Sequence, residues 1–363
     1  MEKHMQTYSA VVVAAGGQGR VHAAAYQADE RVRLVGVADV DSGAADRLAT
    51  ELGIPRSYSD VSAMLREERP DIVSVCTPPA FRRAVVDAAI DAGVRAIHCE
   101  KPFALSYGDA VTMTERAADA GVQLTVNLQR RFEPVHRFAR AQLDDGAIGE
   151  LVSIEGYCPN LFDWGSHIVD LALFYRHDEP AEWVLGQIDV STNRYVYGAF
   201  VETSSLTQVA WSDGVRATIA TGREPATPIL NRENNLGLIL QGSRGRIVVN
   251  GQECIVQRFG VDGMRFASPY ASDPSTWDHG IDPAIFACTR EAVADLVDGL
   301  QTGEEPVLAA RHALAGAAIV FATYESSRSR GRVGLPLQVY DNALLSGLDK
   351  GLWSPVGELR STW

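Results

Sequence analysis

The stretch Ser9–Ala25, SAVVVAAGGQGRVHAAA, decides how this chain is read. An apolar run stops at three glycines within four positions, Gly16, Gly17 and Gly19 with Gln18 among them, and a helix-compatible segment follows at once. The pattern predicts a strand, a tight turn and a helix N-terminus. Without a Cβ at Gly16 and Gly19, backbone can come close to a diphosphate, and the first unpaired N–H groups of the helix point at such an anion. Ala14 stands where the first glycine of a G-x-G-x-x-G turn is expected. It fits there only with a negative φ and room for its methyl group.

Outward from the turn, strand-like and helix-like periods keep alternating. A helix over about 19–29 leads to the strand RLVGVADV, a helix over about 42–52, a further helix around AMLREE and the buried-looking strand DIVSVCT. Helix AFRRAVVDAAIDAG, strand AIHCEKP, helix SYGDAVTMTERAADAG and strand VQLTVN complete the series, with Pro70 and Gly93 marking boundaries. This alternation predicts an α/β domain over residues 8–125, built on a parallel Rossmann-type sheet covered on both faces.

Beyond residue 126 the pattern changes. FEPVHRFARAQLDDG is helix-like, ELVSIEGYC alternates as a strand, and DWGSHIVDLALFYR carries Ile168, Leu171, Ala172, Phe174 and Tyr175 at helical spacing. Five strand-like segments follow: EWVLGQIDVST, GAFVETSSLTQVAWS, GVRATIATG, LGLILQGSRGRIVVN and ECIVQRFG. An α+β domain over residues 126–337 with a large, mostly antiparallel open sheet is expected. The helices DPAIFACTREAVADLVDGL and AARHALAGAAIVFATYESSRS, read within this domain, are expected to pack on one side of a sheet. Over 338–363, Leu344, Leu345, Leu348, Leu352 and Trp353 suggest a tail laid on the body or on a neighbouring subunit.

Composition limits the partners. A chain of 363 residues has room for roughly two domains. Its net charge of −13 argues against a general nucleic-acid or acidic-membrane partner. Cys76, Cys99, Cys158, Cys254 and Cys288 are far apart and odd in number, which fits reduced, buried thiols better than disulfides or a metal site. No signal-peptide pattern opens the chain, and the apolar run at Ser9 is too short to span a bilayer, so a cytoplasmic location is expected.

Three further strand ends belong with the glycine turn. Asp39 follows Gly19 by about twenty positions, the spacing at which a carboxylate accepts hydrogen bonds from an adenosine ribose, with Asp41 as a near rival. A carboxylate there repels a ribose 2′-phosphate, and Arg20 is the turn's one neighbouring cation, so NAD is favoured over NADP. Thr77-Pro78-Pro79 and Glu100-Lys101-Pro102 each follow an apolar strand and should flank the same crevice. Pro102 restrains Lys101 to extended backbone. Lys101 either acts on a ligand or closes a salt bridge with Glu100.

Taken together, these motifs resemble the glucose–fructose oxidoreductase, inositol dehydrogenase and rhizopine-catabolism (Gfo/Idh/MocA) family of two-domain NAD(P)-dependent sugar and cyclitol dehydrogenases. KPFALS, NLQRRFEP, GAIGELVSIEG, DWGSHIVD and SRGRVGLPL extend the likeness over most of the chain. Three departures stand out. Ala14 replaces the first glycine, Arg82 stands where a histidine commonly follows the Thr-Pro turn, and Tyr157–Phe162 lacks the usual double glycine before the catalytic Asp.

The resemblance implies bound NAD, a small polyhydroxylated substrate, and a homodimer or homotetramer formed through the second-domain sheet. It implies Lys101, Asp163 and His167 as the catalytic set. Oxidising an alcohol needs a base for the hydroxyl proton, a role His167 suits; Asp163, four positions earlier, would orient the imidazole, and Lys101 would hydrogen-bond the reacting oxygen. His167 could also merely pack. Substrate contacts are expected from Arg131, Asn160, Trp164 and Asp170, with Arg232, Asn234, Trp277 and His279 as further candidates. His98 reads as a core histidine, and His22 as packing or capping. No metal site is expected. Two other readings stay open: an enzyme that retains NAD and performs net elimination, epimerisation or glycoside hydrolysis, and a non-catalytic sugar- or nucleotide-binding regulator.

Overall fold

The computed structural model describes residues 6–222, 236–261, 263–270, 281–355 and 357–358. They form two compact units, one of the described residues within 6–104, 109–132 and 281–313, the other of those within 105–108, 133–270 and 314–358.

The first unit alternates β1 (Tyr8–Val13), α1 (Gly17–Gln27), β2 (Val32–Ala38), α2 (Ser42–Leu52), β3 (Arg56–Tyr58), α3 (Val61–Glu68), β4 (Ile72–Val75), α4 (Pro79–Asp91), β5 (Ala96–Cys99), α5 (Tyr107–Asp119) and β6 (Gln123–Val126). All strand pairs are parallel, in the order β3-β2-β1-β4-β5-β6. Fully buried runs such as Ile72–Val75 and Ala96–Cys99 suit a sheet covered on both faces. Asp41 and Asp60 start α2 and α3 by accepting from Gly43 N–H and Ala63 N–H, and Gly53 ends α2 in the left-handed region. The direction of winding reverses between β1 and β4, the switch point at which such sheets hold ligands.

Two expectations are corrected here. The helix Pro283–Thr302, read from the sequence as part of the 126–337 domain, belongs to the first unit, where Val293, Leu296 and Val297 join Ala23, Ala25 and Tyr26 of α1 in the core. An apolar stripe dictates that a helix face is buried but not which element covers it. The unit also continues past residue 125, through a 3₁₀ turn Gln129–Phe132, so Arg131 lies in the first unit and not the second.

The second unit holds α6 (Pro134–Asp144), β7 (Leu151–Cys158), α7 (Trp164–Tyr175), β8 (Trp183–Asp189), the short β9 (Thr192–Asn193), β10 (Tyr195–Val196) and β11 (Ala199–Phe200), then β12 (Ser204–Ala210), β13 (Arg216–Thr221), β14 (Gly237–Gly242), β15 (Gly245–Asn250), β16 (Glu253–Arg258), β17 (Met264–Ala267) and β18 (Val333–Gly334). Nine of these strands make one sheet, β17-β16-β15-β14-β7-β13-β12-β8-β18, antiparallel except where β13 runs parallel to β7. Helices cover one face closely. A Cβ on Gly156 would lie 2.4 Å from Ile168 Cγ2 of α7, and one on Gly186 would lie 2.5 Å from Thr323 Cγ2 of the helix Ala310–Ser329. The opposite face leaves Leu185 of β8 and Leu206 of β12 exposed. The tail packs on its own unit: Asn342 caps the helix Ala343–Asp349, its Nδ2 donates to Leu105 O at 2.9 Å, and Leu344 is buried.

Candidate functional site

The turn between β1 and α1 is shaped by one close approach. A Cβ on Gly19 would meet the Ala14 carbonyl oxygen at 1.9 Å, so only glycine lets α1 start against that carbonyl. Ala14 N–H donates to Ala38 O at 2.7 Å, and Ala14 sits at φ 79°. The condition that the sequence set for Ala14, a negative φ, is therefore not met. The helix start on one side and the β2 hydrogen bond on the other hold an alanine in the left-handed region despite its cost.

Gly16 and Gly17 are exposed and have nothing within 4 Å of where a Cβ would be, so the mouth of the turn is open. Gly16 forms the helix N-cap without a side chain, leaving the first α1 amides directed outward. Asp39 is joined to this turn, its Oδ2 accepting Ala15 N–H at 2.7 Å and its Oδ1 accepting Asp41 N–H at 2.9 Å. Asp41 is occupied with Gly43 N–H at 2.9 Å, which separates it from its rival Asp39. Arg20 is paired with Glu51. Two buried polar atoms of this region, Gln18 Oε1 and Thr77 Oγ1, have no hydrogen-bond partner among the described residues. Open glycines, outward amides, a carboxylate bonded to the turn and two unmatched polar atoms fit a dinucleotide.

Behind the β4 and β5 ends lies a buried polar network. His22 Nδ1 is 2.7 Å from Ser74 Oγ, and its Nε2 is 2.9 Å from Glu100 Oε1. Asn127 Nδ2 donates to Glu100 Oε1 at 2.7 Å, and Lys101 N–H donates to Glu100 Oε2 at 3.0 Å. Burial alone would push the His22 pKa down, but the neighbouring Cys76 and the Glu100 carboxylate outweigh it and lift it to about 10. For Glu100, burial works upward, yet the His22 hydrogen bond and charge, Lys101 and Asn127 bring it to about 2. The two form a charged pair inside the sheet's edge. The Glu100 carboxylate is thus engaged inward, bonding the backbone of the very residue that follows it. His98, 4.9 Å from His22 ring to ring, is held down to about 3 by burial and by His22. Thr77 and Pro78 lead into α4, half-buried and exposed respectively.

In the second unit, Asn160, Asp163, His167 and Asp170 are all buried, on or just before α7. Asp163 is the N-cap, one turn ahead of His167, and Asp163 N–H donates to Asn160 Oδ1 at 2.7 Å. Gly165 N–H donates to Asn160 O at 2.8 Å, and Ser166 Oγ donates to Asp163 O at 2.6 Å, so Asn160 and Asp163 both anchor the helix entry. Trp164, the first residue of α7, is half-buried. Two carboxylates and an imidazole within the eight residues 163–170, at the entry of an otherwise apolar helix, are costly to bury.

Several contributors had no sequence signal. Glu202, fully buried, accepts Leu161 N–H and the Tyr324 hydroxyl at 2.6 Å, bracing the loop that carries Asp163. Burial pushes its pKa up. Asn127 was visible only as the residue after β6. Arg232, Asn234, Trp277 and His279 lie outside the described residues. Among the described residues, no group of three or more His, Cys, Asp or Glu is placed to hold a metal, and no helix is long and apolar enough to cross a membrane.

A doubly wound sheet with this glycine turn at its switch point and Asp39 bonded to the turn is the arrangement in which such sheets hold a dinucleotide. Residues 8–128 match the family model GFO_IDH_MocA, described as an oxidoreductase family with an NAD-binding Rossmann fold. It is similar to a D-apiose dehydrogenase of Paraburkholderia graminis, 28% identical over 354 residues, covering 91% of this chain and 90% of that protein. It is also similar to an inositol 2-dehydrogenase of Rhizobium meliloti, 28% identical over 258 residues, covering 66% of this chain and 75% of that protein. A levoglucosan dehydrogenase solved with NADH shares the fold, with a TM-score of 0.77 at 18% identity, covering 92% of this chain and all of that one. An oxidoreductase of Agrobacterium radiobacter solved with NAD+, L-tartaric acid and magnesium does so with a TM-score of 0.76 at 19% identity, covering 91% and 98%.

Proposed function

We propose that the protein is an NAD-dependent dehydrogenase acting on a secondary hydroxyl of a sugar or cyclitol. The observation that carries this reading is the buried Asp163–His167–Asp170 series on α7, in a chain whose curated relatives are named as dehydrogenases of D-apiose and inositol. Bound NAD supplies the hydride acceptor. His167 takes the hydroxyl proton, and Asp163 orients the imidazole and supports its charged form. Lys101 hydrogen-bonds the reacting oxygen, helping the proton leave and polarising the carbonyl in the reverse direction. Gly16, Gly17, Gln18, Gly19, Asp39, Thr77 and Pro78 hold the dinucleotide, with Glu100 acting from behind Lys101. Arg131, Asn160, Trp164 and Asp170 contact the polyol. Leu185 and Leu206 on the uncovered sheet face support assembly into a homodimer or homotetramer.

A panel of polyols and aldoses, including D-apiose and myo-inositol, tests the activity by NADH absorbance. For the active compound, kcat should rise with pH across roughly 5–8, as a neutral imidazole becomes available. His167→Asn should lower it by roughly 10²–10⁴-fold with the fold intact. An active variant with an unchanged pH profile removes His167 as the base. Product formed without net NADH, by protein carrying its own cofactor, favours the NAD-retaining chemistry instead.

A further inference from the structure

We infer that Arg82 is a positioning residue for Lys101, acting through the backbone of the turn that carries it; this rests on the role given to Lys101 above. Arg82 lies in α4 and is 1% exposed, a burial that arginine rarely tolerates without dedicated partners. Its partners are three carbonyls on two different turns. Nη2 donates to Thr77 O at 2.6 Å, while Nη1 donates to Pro102 O and, at 3.3 Å, to Phe103 O.

Lys101 is therefore bracketed. Glu100, the residue before it, is fixed by His22 and Asn127 and accepts the Lys101 N–H. Pro102 and Phe103, the residues after it, are fixed by Arg82. A guanidinium presents its donors from separate nitrogens in a rigid plane, so one side chain sets the spacing between the turn after β4 and the turn after β5. A lysine has a long, flexible stem, and its ammonium meets a reacting oxygen reproducibly only if its Cα is held. The two buried charged residues, His22 from α1 and Arg82 from α4, supply that hold from opposite sides of Lys101.

Hydrogen–deuterium exchange and kinetics together decide it. In the wild-type protein without added NAD, the hydrogen-bonded amides of Glu100 and Lys101 should be protected like those of β5; exchange at the rate of an open loop overturns the inference without any variant. In Arg82→Lys and Arg82→Gln, exchange at Glu100 and Lys101 should quicken about tenfold or more, the loss of a hydrogen bond or two, while β4 and β5 stay protected. Loss of protection spread evenly through β4 and β5 makes Arg82 a general prop and overturns the inference.

At saturating NAD and the polyol found active above, Arg82→Lys should lower kcat by roughly 10²-fold, the scale of an ångström-sized misplacement. Added to Lys101→Ala, it should cost nothing further. If Lys101→Ala is damaging but Arg82→Lys is not, or if the two losses multiply, the inference fails and the role of Lys101 stands. If Lys101→Ala keeps full turnover, the role of Lys101 fails, and the inference with it.

Discussion

One oxygen of the Asp39 carboxylate accepts the Ala15 N–H at 2.7 Å, tying the end of β2 to the glycine turn after β1. The residue that would hold the ribose is therefore also part of the turn that would hold the diphosphate. An ionised carboxylate has about four lone-pair sites, so the bonds from Ala15 and Asp41 leave capacity for a diol. Asp39→Asn keeps an oxygen for Ala15 and loses the charge, whereas Asp39→Ala loses both. NAD affinity should fall by roughly 10–100-fold in the first and further in the second, since a hydrogen bond to a charged group is worth about 1.5–3 kcal/mol. Fluorescence titration with NAD and NADP checks this, with the preference for NAD narrowing in both variants. Equal NAD affinity in all three proteins would take the ribose away from Asp39.

The neighbouring glycines should behave oppositely. Gly19→Ala places a methyl against the Ala14 carbonyl and should destabilise the fold by about 1–3 kcal/mol, as overpacking does. Gly17→Ala meets nothing within 4 Å and should leave stability nearly unchanged. Ala14→Gly removes a left-handed alanine and should gain up to about 1 kcal/mol after the greater freedom of the unfolded glycine is counted. Urea denaturation of the three variants orders them; a Gly19→Ala protein as stable as wild type contradicts the packing described.

The His22–Glu100 pair makes stability depend on pH at both ends. His22 is raised from 6.5 to about 10, so its contribution is complete below 6.5 and lost as pH rises through about 10. Glu100 is lowered from 4.5 to about 2, so its contribution is complete above 4.5 and lost as pH falls through about 2. His22→Gln should cost about 3–5 kcal/mol near neutrality by leaving a buried carboxylate without its cation. It should also flatten the decline in stability between 6.5 and about 10. Chemical denaturation across pH tests both, and a wild-type curve level through that interval shows that His22 carries no charge.

The layered organisation of both units was legible because apolar runs and Gly or Pro punctuation report strands and helices locally. The short β3, with Arg56 exposed and Ser57 and Tyr58 half-buried, lacks such a run and went unread. The residues at strand ends, from Gly16 to Lys101, were legible through spacing that a parallel sheet imposes. What holds them was not. Arg82 acts on three carbonyls and Glu202 on the Leu161 amide, and backbone partners leave no trace in residue identity. Arg82 was noticed only as a departure from a family pattern. The conformation of Ala14 was not legible because contacts from Gly19 and Ala38, not its own preference, decide it.

The late return of the helix Pro283–Thr302 to the first unit has a consequence for how the chain is made. As the protein leaves the ribosome, the six strands of the first sheet are complete by Val126, but Val293, Leu296 and Val297 do not yet exist. The side of α1 carrying Ala23 and Tyr26 therefore waits, uncovered, for roughly 10–30 s of translation. During that interval the nascent nucleotide-binding half is an unfinished body with an adhesive flank, and chaperone capture has its opportunity there. A fragment ending near Phe132 inherits the same bare flank permanently, so the two units cannot be parted by a single cut.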